Sequence, residues 1–300
     1  MKEVSFSTYI DHFDLLSVEW DKATQAILNC GFVRDNGSAE LPPFNPSAAA
    51  GKKRSFGDII KTQFMFPNCY MISTHATSKE DGLYHAYGNY NPAHPGMYHL
   101  VFGSHDIERA HARFAETDLK VRYEEDFQGE IGWTGRFCAN GVMKGVMVVS
   151  GVTLEKEYAD MSILINNQKT PHLLYHPGQY RHINGANGIA EMILCVDDPQ
   201  DFEDLSRDVP VITHCIEHSV CGTGIKTLTL MDSEAVQAKY GVTPQTDRKG
   251  QVGLVFTVPD FTSLDYVLRI NHVAHTVADD CRIVDILPEA GAFFVFRLDH

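Results

Sequence analysis

Two histidines stand at matching places in two similar phrases. His12 is the third residue of Ile10-Asp11-His12-Phe13-Asp14-Leu15-Leu16, and His99 is the third of Met97-Tyr98-His99-Leu100-Val101-Phe102. A neutral imidazole nitrogen binds Fe, Zn, Mn or Ni and also exchanges protons near neutral pH, so two of them on equivalent strands facing one cavity would make a metal or acid–base site. The plainer reading is a histidine that packs or hydrogen-bonds at a strand start. A second chemical cluster is acidic. Glu124, Glu125, Asp126 and Glu130 flank Phe127-Gln128-Gly129, with Trp133 just beyond. Glu125 or Glu130 could carry a proton as general acid or base; the plainer reading is a solvated turn.

Other chemical patterns fall short. Gly222-Thr223-Gly224-Ile225-Lys226-Thr227 lacks the last glycine of a dinucleotide loop and the glycine before lysine of a P-loop, so no nucleotide cofactor is implied. Ser104-His105-Asp106 is contiguous and reads as a helix cap rather than a triad. The seven cysteines are scattered without a CxxC pair, as expected of reduced, mostly buried thiols.

The elements that would position the histidines recur. Four strand phrases begin at Ile10, Met97, Ile189 and Val252, with His12, His99, Glu191 and Gly253 in the marker slot. Adding twenty to each marker lands on Phe32, Leu119, Val211 and Val273, read as starts of second strands. Between marker and second strand lies a helix of about ten residues behind a polar turn. Ile107, Ala110 and Phe114 in the second copy, and Leu264, Val267 and Leu268 in the fourth, are spaced for one apolar face. Later strands are expected at Asn68–Ser73, Gly145–Val149 with Met161–Ile165, Lys226–Leu230 and Phe293–Phe296, giving a β-α-β-β-β module. Two polar stretches, about 38–56 and 79–95, read as long loops, either lids or plain surface.

Composition limits the partners. At 300 residues, 44% hydrophobic and 21% charged, the chain can bury ordinary cores, and no run of about 18 apolar residues suggests a membrane span. A formal charge of −14 opposes nucleic acid, and Lys52-Lys53-Arg54 is too short to reverse it. The start lacks the pattern of a secretory signal, so a cytoplasmic protein is expected, with a small-molecule substrate, no nucleic acid and no membrane.

The module, together with Thr170-Pro171-His172-Leu173-Leu174-Tyr175-His176-Pro177 and His182-Ile183-Asn184-Gly185-Ala186-Asn187-Gly188-Ile189, resembles the glyoxalase-like family of the vicinal oxygen chelate superfamily. That family reads T-P-E-L-x-W and then H-P-N-G-A-x-G-I before a first strand. The resemblance implies an α+β fold of four βαβββ modules paired into two cupped mixed sheets with helices packed outside. It divides the chain into an N-terminal domain, 1–180, and a C-terminal domain, 181–300. It also implies a divalent metal ion, Fe, Zn, Mn or Ni, in the first cup, held by His12, His99 and a third ligand from His75, Gln168 or His172. His172 stands where the family phrase has an acid. Glu125 or Glu130 would move protons beside the ion.

Within the superfamily, lyase, isomerase and dioxygenase chemistries share this fold. The pattern departs from the metal-using members because no Glu lies in the expected last strands. Extradiol ring cleavage is disfavoured: Glu191 and Gly253 hold the second-half slots, and His214 and His218 do not form a helix-type chelate. The second half is expected to supply structure and part of a pocket. Two alternatives stay open: a metal-free binding or sequestering protein using Tyr70, Phe102 and Trp133 as an aromatic lining, and an assembly subunit. A homodimer is a weak further expectation.

Overall fold

A computed structural model describes residues 8–34, 60–75, 94–133, 143–158, 161–173, 175, 180–196, 204, 225 and 227–299. The two expected long loops, the Lys52–Arg54 cluster, His214, His218 and most of the Gly222–Thr227 loop lie outside the described residues.

The four marker phrases are all strands: β1 (Thr8–Ser17), β4 (Gly96–Ser104), β8 (Gly188–Cys195) and β10 (Val252–Val258). The first half continues with α1 (Trp20–Asn29), β2 (Ile60–Met65), β3 (Tyr70–His75), α2 (Ile107–Phe114), β5 (Val121–Trp133), β6 (Met143–Leu154) and β7 (Ser162–Gln168). The second half adds β9 (Thr227–Met231), α3 (Ser233–Tyr240), α4 (Thr262–Ile270), β11 (Thr276–Val277), β12 (Cys281–Ile286), α5 (Leu287–Ala290) and β13 (Ala292–Leu298). One mixed sheet runs β2-β3-β1-β4-β7-β6-β5, and the other runs β11-β12-β13-β10-β8-β9.

Pairing defines the modules. Each marker strand lies parallel to the last strand of its own phrase, with His12 opposite Tyr70, His99 opposite Ser162, Glu191 opposite Thr227 and Gly253 opposite Phe293. The marker strands then meet antiparallel in pairs, and the register is the same in both sheets. Val101 lies opposite His12 and His99 opposite Asp14; Ile193 lies opposite Gly253 and Glu191 opposite Val255. The fold is therefore the α+β arrangement of four βαβββ modules in two cupped mixed sheets, with α1, α2 and α4 packed outside the cups.

Side-chain alternation separates the two faces of each sheet. Phe13, Leu15, Leu100, Phe102, Leu254, Phe256, Phe294 and Phe296 form one continuous core with helix residues Ala23, Ile27, Ile107, Phe114, Leu264 and Leu268. Asp106 caps α2 by accepting from the Arg109 amide at 3.1 Å, so the Ser104-His105-Asp106 turn is a helix start. The offset of twenty is corrected. Phe32 and Val273 follow helices, and Leu119 precedes β5, all without being strand residues; the second strands described here begin later, at Val121 and Thr276. These apolar residues pack into the core where the chain leaves a helix. Val211 lies outside the described residues.

The segment joining the sheets is pinned by His182. Its Nδ1 accepts from the Val33 amide at 3.0 Å, and its Nε2 donates to the Met65 carbonyl at 3.0 Å, beside the rings of Phe32 and Phe66. A proton on Nδ1 would face the Val33 N–H. Burial pushes the imidazole down to about 4, with the Met65 carbonyl opposing that shift. Below pH 6.5 the unfolded chain takes up a proton that the folded chain refuses until about pH 4. Stability should therefore fall by about 3 kcal/mol as pH drops through that window and hold above it. Urea unfolding of the parent and of His182→Gln across pH 4–7 checks this. An identical pH slope in both proteins refutes the assignment.

Candidate metal centre

β1 and β4 cross the centre of the first sheet, and the cup-facing residues of both converge. His12 and Asp14 are two apart on β1 and share a face, while His99 lies opposite Asp14 on β4. One potential ligand atom from each of His12, Asp14 and His99 lies within 4.8 Å of the others, and all three residues are buried. The imidazoles meet edge-on with centroids 6.1 Å apart.

Each imidazole is backed by a carboxylate. His99 Nδ1 is 2.6 Å from Asp14 Oδ2, and Asp14 Oδ1 accepts from the Thr74 hydroxyl at 3.2 Å. His12 Nδ1 is 2.7 Å from Asp11 Oδ2, and Asp11 Oδ1 accepts from the Tyr175 hydroxyl at 3.0 Å. Asp11 reaches this face because of a bulge. The β1–β4 register skips from Ile10 to His12, so Asp11 has no partner on β4, and such a bulge brings neighbouring side chains to one side. Tyr70 closes the back of His12, its ring stacked at 4.3 Å and 13°. Burial raises the Tyr175 hydroxyl well above the usual phenol range, reinforced by the Asp11 charge, so it serves as a donor.

The donor set fits a divalent cation. Two imidazoles and a carboxylate are the ligands of many Fe, Zn and Mn sites. Asp11 and Asp14 are buried carboxylates, and protons on their partners or a cation must offset their charge. The two nitrogens of an imidazole face opposite ways. Asp14 therefore cannot hold His99 Nδ1 and share an ion with His99 Nε2 at once. His12 keeps Nδ1 on Asp11 and offers Nε2, whereas His99 and Asp14 can join the same ion by giving up the proton between them.

The other sequence candidates lie elsewhere. His172 is exposed on the single 3-10 turn Pro171–Leu173 and is not in the group. His75, at the end of β3, has Nδ1 3.2 Å from the Ser17 carbonyl. Gln168 ends β7, with a buried Oε1 that meets no hydrogen-bond partner. Glu125 is exposed at a bulge of β5, a strand separated from β4 by β6 and β7. Beside it Asp126 takes φ 47° and pairs with Lys169 and Ser150, which holds the exposed bulge within β5. Glu130 lies further along β5, opposite Val146, and its side chain lies outside the described residues. Phe102 is corrected as a cup-lining residue, because alternation on β4 sends it into the core. Tyr70 does face His12, and Trp133 has no described side chain.

Asp14 and Asp11 are candidate site residues beyond those the sequence reading names. For Asp14 the signal was present, since His-x-Asp on a strand puts both groups on one face.

In the second cup the same slots hold different residues. Gly253 leaves room for the Phe293 ring, whose Cζ would lie 2.2 Å from a Cβ at that position. Val255 stands where Asp14 does, and Val236 and Tyr240 of α3 complete an apolar cluster with Ile193, Phe293 and Val295. Glu191 accepts from the Thr229 hydroxyl at 2.5 Å. Among the described residues this cluster packs against the concave face of the second sheet.

No family model matches the sequence, and no curated protein matches it. Among solved structures, a hypothetical protein from Staphylococcus aureus is similar over 97% of this chain and 100% of its own, at 9% identity and TM-score 0.53. A xylose isomerase-like TIM barrel/4-hydroxyphenylpyruvate dioxygenase fusion protein aligns over 98% of this chain and 49% of its own, at 11% identity and TM-score 0.48. A mutant of 4-hydroxymandelate synthase from Streptomyces coelicolor aligns over 98% and 93%, at 12% identity and TM-score 0.47. No helix among the described residues is long and apolar enough to cross a membrane. With parallel first and last strands in every module and antiparallel marker strands joining the modules in pairs, the chain has the vicinal oxygen chelate fold.

Proposed function

We propose that this protein is a metal-dependent enzyme of glyoxalase-like type, acting on a small oxygenated or aromatic substrate in the cup of its N-terminal domain, 1–180. The observation that carries this reading is the convergence of His12, Asp14 and His99 on one buried face. Those three residues would hold the ion, His12 through Nε2. When bound, a divalent ion with open positions polarises substrate oxygens and stabilises an enolate, as lyase, isomerase and dioxygenase reactions of oxygenated substrates require. The chain's own part is to fix the donors. Asp11 sets the tautomer of His12, Tyr70 holds the plane of that ring, and Thr74 orients Asp14. Glu125 is exposed at the β5 bulge, away from these donors.

Metal analysis of protein purified without a histidine tag tests the reading. The parent should carry close to one divalent ion per chain and the His12→Ala/His99→Ala variant essentially none. A parent without stoichiometric metal after exposure to Fe(II), Zn(II), Mn(II) and Ni(II) overturns it. A metal-free binding protein is the second reading, favoured by one observation: both imidazole Nδ1 atoms already have carboxylate partners.

A further inference from the structure

Asp11 differs from Asp14 in a way that points to a distinct task. Asp14 belongs to the group whose ligand atoms converge, and Asp11 does not, although it is fully buried beside His12. Its Oδ2 meets His12 Nδ1, its Oδ1 accepts from Tyr175, and Asn166 Nδ2 approaches Oδ2 at 3.5 Å from β7. Tyr175 is not part of the sheet. It lies beyond the 3-10 turn in the segment leading to the second half, held by its amide to the Pro171 carbonyl at 2.9 Å and packed edge-on against Tyr70 at 6.0 Å.

A carboxylate held by one hydrogen bond can turn about its Cβ–Cγ bond, and His12 would then lose the acceptor that keeps the proton on Nδ1. With Tyr175 on Oδ1, turning Asp11 breaks two hydrogen bonds in a buried place, where each unmet group is costly. We propose that Tyr175 is a positioning residue: through Asp11 it locks His12 in the Nδ1–H tautomer and so presents Nε2 to the cup. Tyr175 thereby becomes part of the site from outside the sheet. This rests on the metal-centre reading for its consequence, but the tautomer itself exists without an ion.

Two measurements test it. In metal-free protein, two-bond proton–nitrogen NMR correlations of His12 should show Nδ1–H in the parent and a mixture of tautomers in Tyr175→Phe. In Co(II) titrations followed by visible absorption, Tyr175→Phe should weaken binding about tenfold and Asp11→Asn by about 10- to 100-fold, the range for residues that orient a ligand. Adding Tyr175→Phe to Asp11→Asn should cost nothing further, because its route to the site is already cut. An unchanged tautomer in Tyr175→Phe overturns the proposal, as does an equal tenfold loss in both backgrounds, which is what a merely structural tyrosine gives. A parent that binds no Co(II) sinks the metal-centre reading alone, and the NMR result still decides the role of Tyr175. Should Asp11→Asn not fold, Tyr175→Phe by itself carries the tautomer measurement.

Discussion

Replacing Asp14 by alanine is expected to lower divalent-metal affinity by about 100-fold or more while leaving the chain folded. Asp14 is the single carboxylate in the converging group, and without it two imidazoles remain, too few to retain an ion against water. The alanine removes a buried charge but also takes an acceptor from His99 Nδ1 and the Thr74 hydroxyl, at a cost of about 1–3 kcal/mol each that a chain of this size can carry. Asp14→Asn is the informative companion. It can still accept from His99 Nδ1, so it keeps the hydrogen bond but not the charge. Co(II) or Zn(II) titration of the parent and both variants, with circular dichroism to confirm folding, reads the difference. Retention of parental affinity by Asp14→Ala would show that the ion is held elsewhere.

Gly291→Ala should be the most destabilising small substitution, costing about 3 kcal/mol or more. Gly291 ends α5 at φ +66°, where a Cβ costs about 1 kcal/mol by itself. Here that Cβ would also sit 2.1 Å from the Pro95 carbonyl oxygen and 2.5 Å from Gly96 Cα, so backbone must move. The backbone concerned is the start of β4, three residues before His99, which is also tied to the second half by the Met97 amide donating to the Gly250 carbonyl at 2.6 Å. Gly241 is the built-in control. It caps α3 at φ +70°, and a methyl group added there would meet nothing within 4 Å, so Gly241→Ala should cost only about 1 kcal/mol. Denaturant unfolding of the two variants separates conformational strain from collision, and equal losses would remove the collision from the account.

How much of this was readable beforehand depends on which physical signal carried it. The four marker strands were legible because each is an apolar run, and the structure makes His12, His99, Glu191 and Gly253 equivalent by register in both sheets. Helices α2 and α4 were legible from Ile107, Ala110, Phe114 and Leu264, Val267, Leu268, all buried. The helix α3 was passed over, although Asp232 caps it by accepting from the Ala235 amide and Gly241 closes it. Only Val236 and Tyr240 of its eight residues are buried, so its apolar periodicity is faint and its caps were the stronger signal.

For the site, period and bulge diverge. The expected ligand carboxylates belong to last strands, which hold no Glu, whereas Asp14 lies two residues from His12 in the same phrase. Asp11 is a different matter. Strict alternation sends it away from His12, and only the skipped position opposite β4 brings it alongside, a feature set by strand pairing rather than by local sequence. Tyr175 is farther still from sequence reasoning, since it meets Asp11 across 164 positions of chain.

The second cup has a consequence for how the molecule can change. Its sheet repeats the strand register of the first, yet Phe293 fills the space left by Gly253, and Val255 replaces the acid. The two halves are therefore unlike: the first buries Asp11, His12, Asp14 and His99 together, and the described part of the second is mostly apolar at the matching places, with Glu191 the exception. The two halves meet where Gly291 packs against Pro95 and Gly96, next to the Met97 amide that donates to the Gly250 carbonyl. Trimming Phe293 would open a hollow beside Gly253 that is lined mainly by hydrocarbon, with Glu191 on the same face.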